Sequence, residues 1–168
     1  MTQRVPLLVL GLGDALCRDD GIGVAAVSLL SKHWRAPDGV RVLDGGTQGP
    51  ALLPWVERAD RLLIVDAVRL ETEPPGTLVR LEGPAEVLYA ETDRLGLQQA
   101  RDARIPPKLV LLGVVPEDVS RGLEVSRTAR IALPALVDLI VADAAAMGFR
   151  FAPVPGPAPL RAAPAEAR

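Results

Sequence analysis

One cysteine, Cys17, stands in 168 residues, which excludes an intrachain disulfide and a zinc site built from several thiolates. One histidine, His33, leaves little room for imidazole chemistry. Aromatic residues make up 3%, so Leu, Val, Ala and Ile must fill the core. The formal net charge of -2 offers no electrostatic footprint for nucleic acid or an anionic membrane. No run of about 18 apolar residues occurs, so no membrane-spanning helix is expected. The start "MTQRVPLLVLGLGD" has an apolar run that ends in Gly-Asp rather than in a small-residue cleavage site. It reads as a first strand, and the expected compartment is the cytoplasm. The phosphate-binding pattern G-x-x-x-x-G-K-S/T is missing too.

What remains is ordinary for a soluble domain: 49% hydrophobic and 24% charged residues, at a length that suits one core. "VPLLVL" (Val5 to Leu10), "GVRVLD" (Gly39 to Asp44), "RLLIVDAV" (Arg61 to Val68), Thr77 to Leu81 and Lys108 to Val114 read as five strands. The continuous apolar runs among them fit strands buried on both faces of a parallel sheet. Between them lie helical stretches: "GIGVAAVSLLSKHW", then "GPALLPWVERA", limited or kinked by Pro54, then "ETDRLGLQQARDA". A last helix of about six turns starts after Ser126, a good N-cap, and is expected to be interrupted and bent at Pro134. The alternation predicts a single α/β domain over 1–151: a twisted, mostly parallel five-stranded sheet sandwiched between helices. Residues 152–168, rich in Pro and Ala, are expected to form a disordered tail.

In such a sheet, ligands collect beyond the carboxyl ends of the strands. Those ends deliver "GLGDALCRDD", "DGGTQGP", Asp66 and "GVVPED". A dinucleotide fingerprint fails here, because Leu16 stands where the third glycine belongs. Asp14, Asp19 and Asp20 would also compete with a pyrophosphate for the same amides. His33 closes the first helix at the end away from this edge, so it is not a base for the crevice. Cys17 lies in the crevice loop without a partner base and reads as inert. Carboxylates from separate elements, Asp20, Asp66 and Asp93, can converge on one metal ion. They can equally be a helix cap or loop-orienting groups; spacing alone leaves both open.

Six blocks, in order, carry a resemblance: "VLGLGDALCRDDGIG", "LDGGTQGPALL", "LLIVDAV", "PPGTLVRL", "DRLGL" and "KLVLLGVVPE". Over roughly Val5 to Met147 the chain resembles the hydrogenase maturation proteases. These endopeptidases trim a C-terminal extension from the large-subunit precursor of nickel–iron hydrogenases once nickel is inserted. The resemblance implies a cytoplasmic hydrolase, monomeric when free, whose partner is that precursor and whose nickel is carried by it. It implies metal contacts at Asp20, Asp66 and Asp93, with Asp20 and Asp66 also the candidate catalytic residues. Asp44, Gly45, Gly46 and Thr47 would bind or shape the substrate backbone, or form a tight turn with only a structural purpose. One departure stands out: the third metal position, usually His in the family, is Asp93 here. Two other functions fit parts of the pattern: a non-catalytic checkpoint that senses nickel on the precursor, and a dinucleotide-binding enzyme.

Overall fold

The computed structural model describes residues 3–84, 104–106 and 109–156. The chain opens with β1 (Leu7–Leu12), a 3-10 turn (Arg18–Gly21) and α1 (Ile22–His33). The two-residue β2 (Trp34–Arg35) and β3 (Val40–Gly46) follow, then a 3-10 turn (Gly49–Leu52) that runs into α2 (Leu53–Val56). Then come β4 (Leu62–Ala67), β5 (Leu78–Gly83), β6 (Leu109–Val114), α3 (Arg127–Ala146) and β7 (Ala152–Pro153). The five-stranded sheet has the order β3-β1-β4-β6-β5. The β1–β3, β1–β4 and β4–β6 pairs are parallel, and β5 runs antiparallel to β6. The expected fold class is therefore borne out.

Strict alternation along the buried strands feeds two cores. Leu7, Val9, Leu63, Val65, Val110 and Leu112 face α1 and α3. Leu8, Leu10, Leu62, Ile64, Leu109 and Leu111 face the side of Leu52 and Val56. Every residue of β1, β4 and β6 is buried, as a strand covered on both faces requires. The amide of Ala129 donates to Ser126 Oγ at 3.1 Å, which caps α3 as the sequence predicts. The helix continues through Pro134.

Three expectations change. Pro54 does not kink a longer helix; it sits in the first turn of α2, where its missing N–H leaves no bond unmade. Asp20 does not cap α1: Gly21 holds the N-cap position, and Asp20 lies in the 3-10 turn before it. The segment expected as a tail begins as β7, antiparallel to β2, and the Val154 amide donates to the His33 carbonyl at 2.8 Å. The expected helix over 91–103, Asp93 in it, and the tail from 157 onward lie outside the described residues.

The edge strand β5 is tied to α3 by charge. Arg80 Nε donates to Asp143 Oδ1 at 2.9 Å and Arg80 Nη2 to the same oxygen at 2.7 Å. The Asp143 side chain is 6% exposed and that of Arg80 42%. Arg80→Met leaves a buried carboxylate facing an apolar chain, and water near Arg80 softens the loss. The expected cost is about 1–2 kcal/mol, read as a lower urea midpoint. An unchanged midpoint would show that the pair contributes nothing.

Candidate functional site

The chain leaves β1 for β3 on one side and reaches β4 on the other, so the switch point of the sheet lies beyond the carboxyl end of β1. Here the loop after β1 must pass very close to neighbouring backbone. Gly13 has φ +124, and a Cβ on it would stand 1.8 Å from the Asp20 carbonyl oxygen. A Cβ on Gly23 would stand 2.1 Å from the carbonyl oxygen of Val65 and 2.4 Å from that of Leu12. The glycines of "GLGDALCRDDGIG" thus seat the start of α1 directly against β1 and β4.

The two adjacent aspartates of that stretch do different work. Asp20 is half-buried, and its Oδ2 accepts the Asp14 amide at 3.0 Å. This bond closes the loop across the mouth of the crevice. Asp19 turns inward and is 1% exposed. Its Oδ2 accepts the amides of Glu117 at 2.9 Å and Asp118 at 3.1 Å, and the Ser126 hydroxyl at 2.8 Å. Its Oδ1 accepts the Ser126 amide at 2.6 Å. Burial alone would push the Asp19 carboxyl up. The amides of Ser126, Glu117 and Asp118 and the Ser126 hydroxyl outweigh it and hold the group below the usual carboxylate range.

Asp19 therefore clamps the loop after β1 to the loop after β6 and to the cap of α3. Backbone bonds extend the seam: Arg18 N–H donates to the Gly122 carbonyl at 2.9 Å, and Gly122 N–H to the Leu16 carbonyl at 2.8 Å. Sequence reasoning missed this role. Its one legible sign was that Ser126, a predicted cap, needs a partner for its own hydroxyl proton.

The DGGT loop forms the facing wall. Gly13 N–H donates to the Gly46 carbonyl at 3.1 Å, which joins the two loops. Gly46 has φ +46, a turn that favours glycine, while a Cβ on Gly45 would meet Leu10 Cδ1 at 2.8 Å. Asp44 and Thr47 are exposed. Between the walls lies a cleft of about 260 Å³, lined by Asp14, Val24, Asp44, Gly46 and Thr47 among others. Asp66 lies in β4, next but one in the sheet from β3, fully buried, and its Oδ1 accepts the Ala67 amide at 2.8 Å. The structure thus brings Asp20, Asp44, Gly45, Gly46, Thr47 and Asp66 to one edge of the sheet. Asp93, the third predicted metal position, lies outside the described residues.

The remaining candidates stand as the sequence placed them. His33 is exposed at the carboxyl end of α1, about 18 Å of helix from its start. Burial pushes the Cys17 thiol up, and its hydrogen bond to Asp14 and the nearby Asp14 and Asp20 carboxylates add to this against Arg121. A protonated thiol is a poor nucleophile. The amides that a pyrophosphate would need are also engaged: Asp20 takes that of Asp14, and Asp14 Oδ1 takes that of Leu16 at 2.8 Å.

The model of the HycI family, hydrogenase maturation proteases, matches residues 24–143. The chain belongs to this family. Its match spans the DGGT loop, Asp66 and Asp93, and begins just after Asp20. Among curated relatives, the Hydrogenase 2 maturation protease of Escherichia coli is 35% identical over 147 residues, covering 81% of this chain and 89% of that one. The hydrogenase expression/formation protein HoxM of Azotobacter vinelandii is 38% identical over 123 residues, 67% of this chain. The chain spans 59% of that HoxM and 62% of the Azotobacter chroococcum HupM, less than two thirds of each. The hydrogenase maturating endopeptidase HybD of Escherichia coli shares the fold with a TM-score of 0.77 at 30% identity, covering 88% of this chain and 97% of that one. The expected family is therefore borne out. No helix among the described residues is long and apolar enough to cross a membrane.

Proposed function

We propose that the chain is an endopeptidase that removes the C-terminal extension of a nickel–iron hydrogenase large-subunit precursor. It acts in the cytoplasm and is a monomer when free. The observation that carries this reading is the meeting of the Asp14–Asp20 loop and the DGGT loop around one cleft at the switch point of the sheet. Family membership supplies the reaction class for that cleft.

Nickel enters as cargo on the precursor and supplies, when bound, a charge that polarises nearby oxygens. The half-buried Asp20 and the buried Asp66 are hard anionic donors that suit a divalent cation. Asp93 is the third position in this reading, a carboxylate where the family usually carries His. The cysteines of the precursor would meet the preference of nickel for softer donors.

Burial and the Asp14 carboxylate push the Cys17 thiol up and His33 lies at the far end of α1, so a water molecule fits the role of nucleophile. Asp20 takes its proton or orients it, with the Asp14 amide fixing the carboxylate in place. Gly46, turned by its positive φ, keeps the wall low enough for a peptide backbone to approach.

Incubating the purified chain with nickel-loaded precursor tests the reading by intact mass. The expected result is loss of the C-terminal extension; nickel-free precursor keeps its mass. A nickel-loaded precursor that binds and stays uncut would leave a checkpoint without catalysis.

A further inference from the structure

We propose that the outer edge of β3 is the track on which the C-terminal extension of the precursor lies, as an added antiparallel strand. Its terminal carboxylate ends in an arginine-lined cleft at the other end of β3. The proposal rests on the endopeptidase reading and adds where the leaving peptide sits and what recognises its end.

Among the described residues β3 pairs only with β1, at one margin of the sheet. Three hollows border β3 in order along the chain, and the middle one lies on its outer margin. The cleft at the switch point touches Asp44, Gly46 and Thr47. A hollow of about 370 Å³ touches Val40, Arg41, Val42 and Leu43. A cleft of about 500 Å³ touches Asp38, Gly39, Val40 and Arg41. The last two share the walls Ala36, Val40, Arg41 and Trp55.

The middle hollow has a telling lining. Trp34, Val42 and Phe151 belong to the core on the α1 side, and Leu43 and Trp55 to the core on the α2 side. A cavity touched from both faces of a sheet straddles the strand edge itself. The Gly39 carbonyl accepts from the Leu7 amide of β1, and by the two-residue alternation the amides of Val42 and Asp44 face outward. That is the geometry an extended peptide needs to add a strand, with apolar walls for alternate side chains.

Charge sets the direction. The far cleft is lined by Arg4, Arg41 and Arg58 against one carboxylate, Asp38. Asp60 pairs with Arg4. The Arg58 guanidinium lies 4.3 Å over the Trp55 ring, which fixes it in place. This is a positive site on a chain whose formal net charge is -2. A peptide cut at the crevice and running back along β3 brings its own C-terminus here, and guanidinium groups are suited to grip a carboxylate. The extended part of β3, Val40 to Gly46, covers about 20 Å, so an extension of at least about seven residues spans the strand.

The test uses the full chain and a synthetic peptide with the sequence of a precursor extension, once with its terminal carboxylate and once amidated. The expected result is slowed exchange of the Val42 and Asp44 amides with the carboxylate form. Binding should be about tenfold weaker for the amidated peptide and for Arg41→Glu, the size of one lost charge-assisted hydrogen bond. In precursor processing, Arg41→Glu raises KM about tenfold and leaves kcat within about twofold. Equal binding of both peptides by wild type and Arg41→Glu would overturn the track, as would protection of Val42 that grows with protein concentration alone, the mark of a second copy on this edge. A wild type that cuts precursor without protecting β3 sinks the track alone; one that protects β3 but leaves precursor whole sinks the endopeptidase reading alone.

Discussion

Asp20→Asn is expected to lower kcat/KM for nickel-loaded precursor by about 100-fold or more, the usual loss when a proton-accepting or charge-bearing group leaves a site. The substitution isolates charge from architecture. Asparagine keeps a carbonyl oxygen that can accept the Asp14 amide, now made by Asp20 Oδ2 at 3.0 Å. The loop should therefore hold its shape, and the unfolding midpoint should stay that of wild type. Intact mass against time gives the rate, and urea titration gives the control. Processing within about threefold of wild type, in a protein of wild-type stability, would remove Asp20 from the machinery. A rate loss that comes with a lower midpoint would mean that asparagine disturbed the loop, and Asp20→Glu would then supply the charge without the fit.

Asp19→Ala is expected to be the most damaging single change for stability, at about 3 kcal/mol or more. It strands the amides of Glu117, Asp118 and Ser126 at a position only 1% exposed. It also frees the hydroxyl that caps α3. The effect carries a pH signature. The folded carboxyl is held below its unfolded value, so the unfolded chain binds the extra proton as the medium is acidified. The stabilisation is fully present above the unfolded Asp value of about 3.9 and is lost as pH falls through the lower folded value. Denaturant midpoints taken between neutral and strongly acidic pH should fall steeply for wild type below about pH 4 and less steeply for Asp19→Ala. Parallel pH profiles would show that Asp19 contributes nothing in its charged form.

The contrast between these neighbours shows where reading the sequence succeeds and where it stops. Long apolar runs announced β1, β4 and β6, because strands buried on both faces carry a signal that needs no partner to interpret. Strand ends then pointed to the crevice, and the DGGT loop and Asp20 were found there. Ser126 was legible because a cap is a local arrangement. Asp19 was not: its four donors come from residues 98 to 107 positions away, and no spacing within "RDDG" tells which carboxylate turns inward. The β2–β7 pair escaped for a similar reason, since two residues on each side are too few for any period. The arginine cleft escaped because Arg4, Arg41 and Arg58 come from three separate segments.

The clamp at Asp19 also bears on how the molecule breathes. One carboxylate holds the loop after β1, the loop after β6 and the first turn of α3, so none of the three can open alone. Their amides form one exchange unit with a single opening free energy, and deuterium should enter Glu117, Asp118 and Ser126 together rather than in sequence. Opening of this seam would release the loop after β1 together with the footing of the last helix.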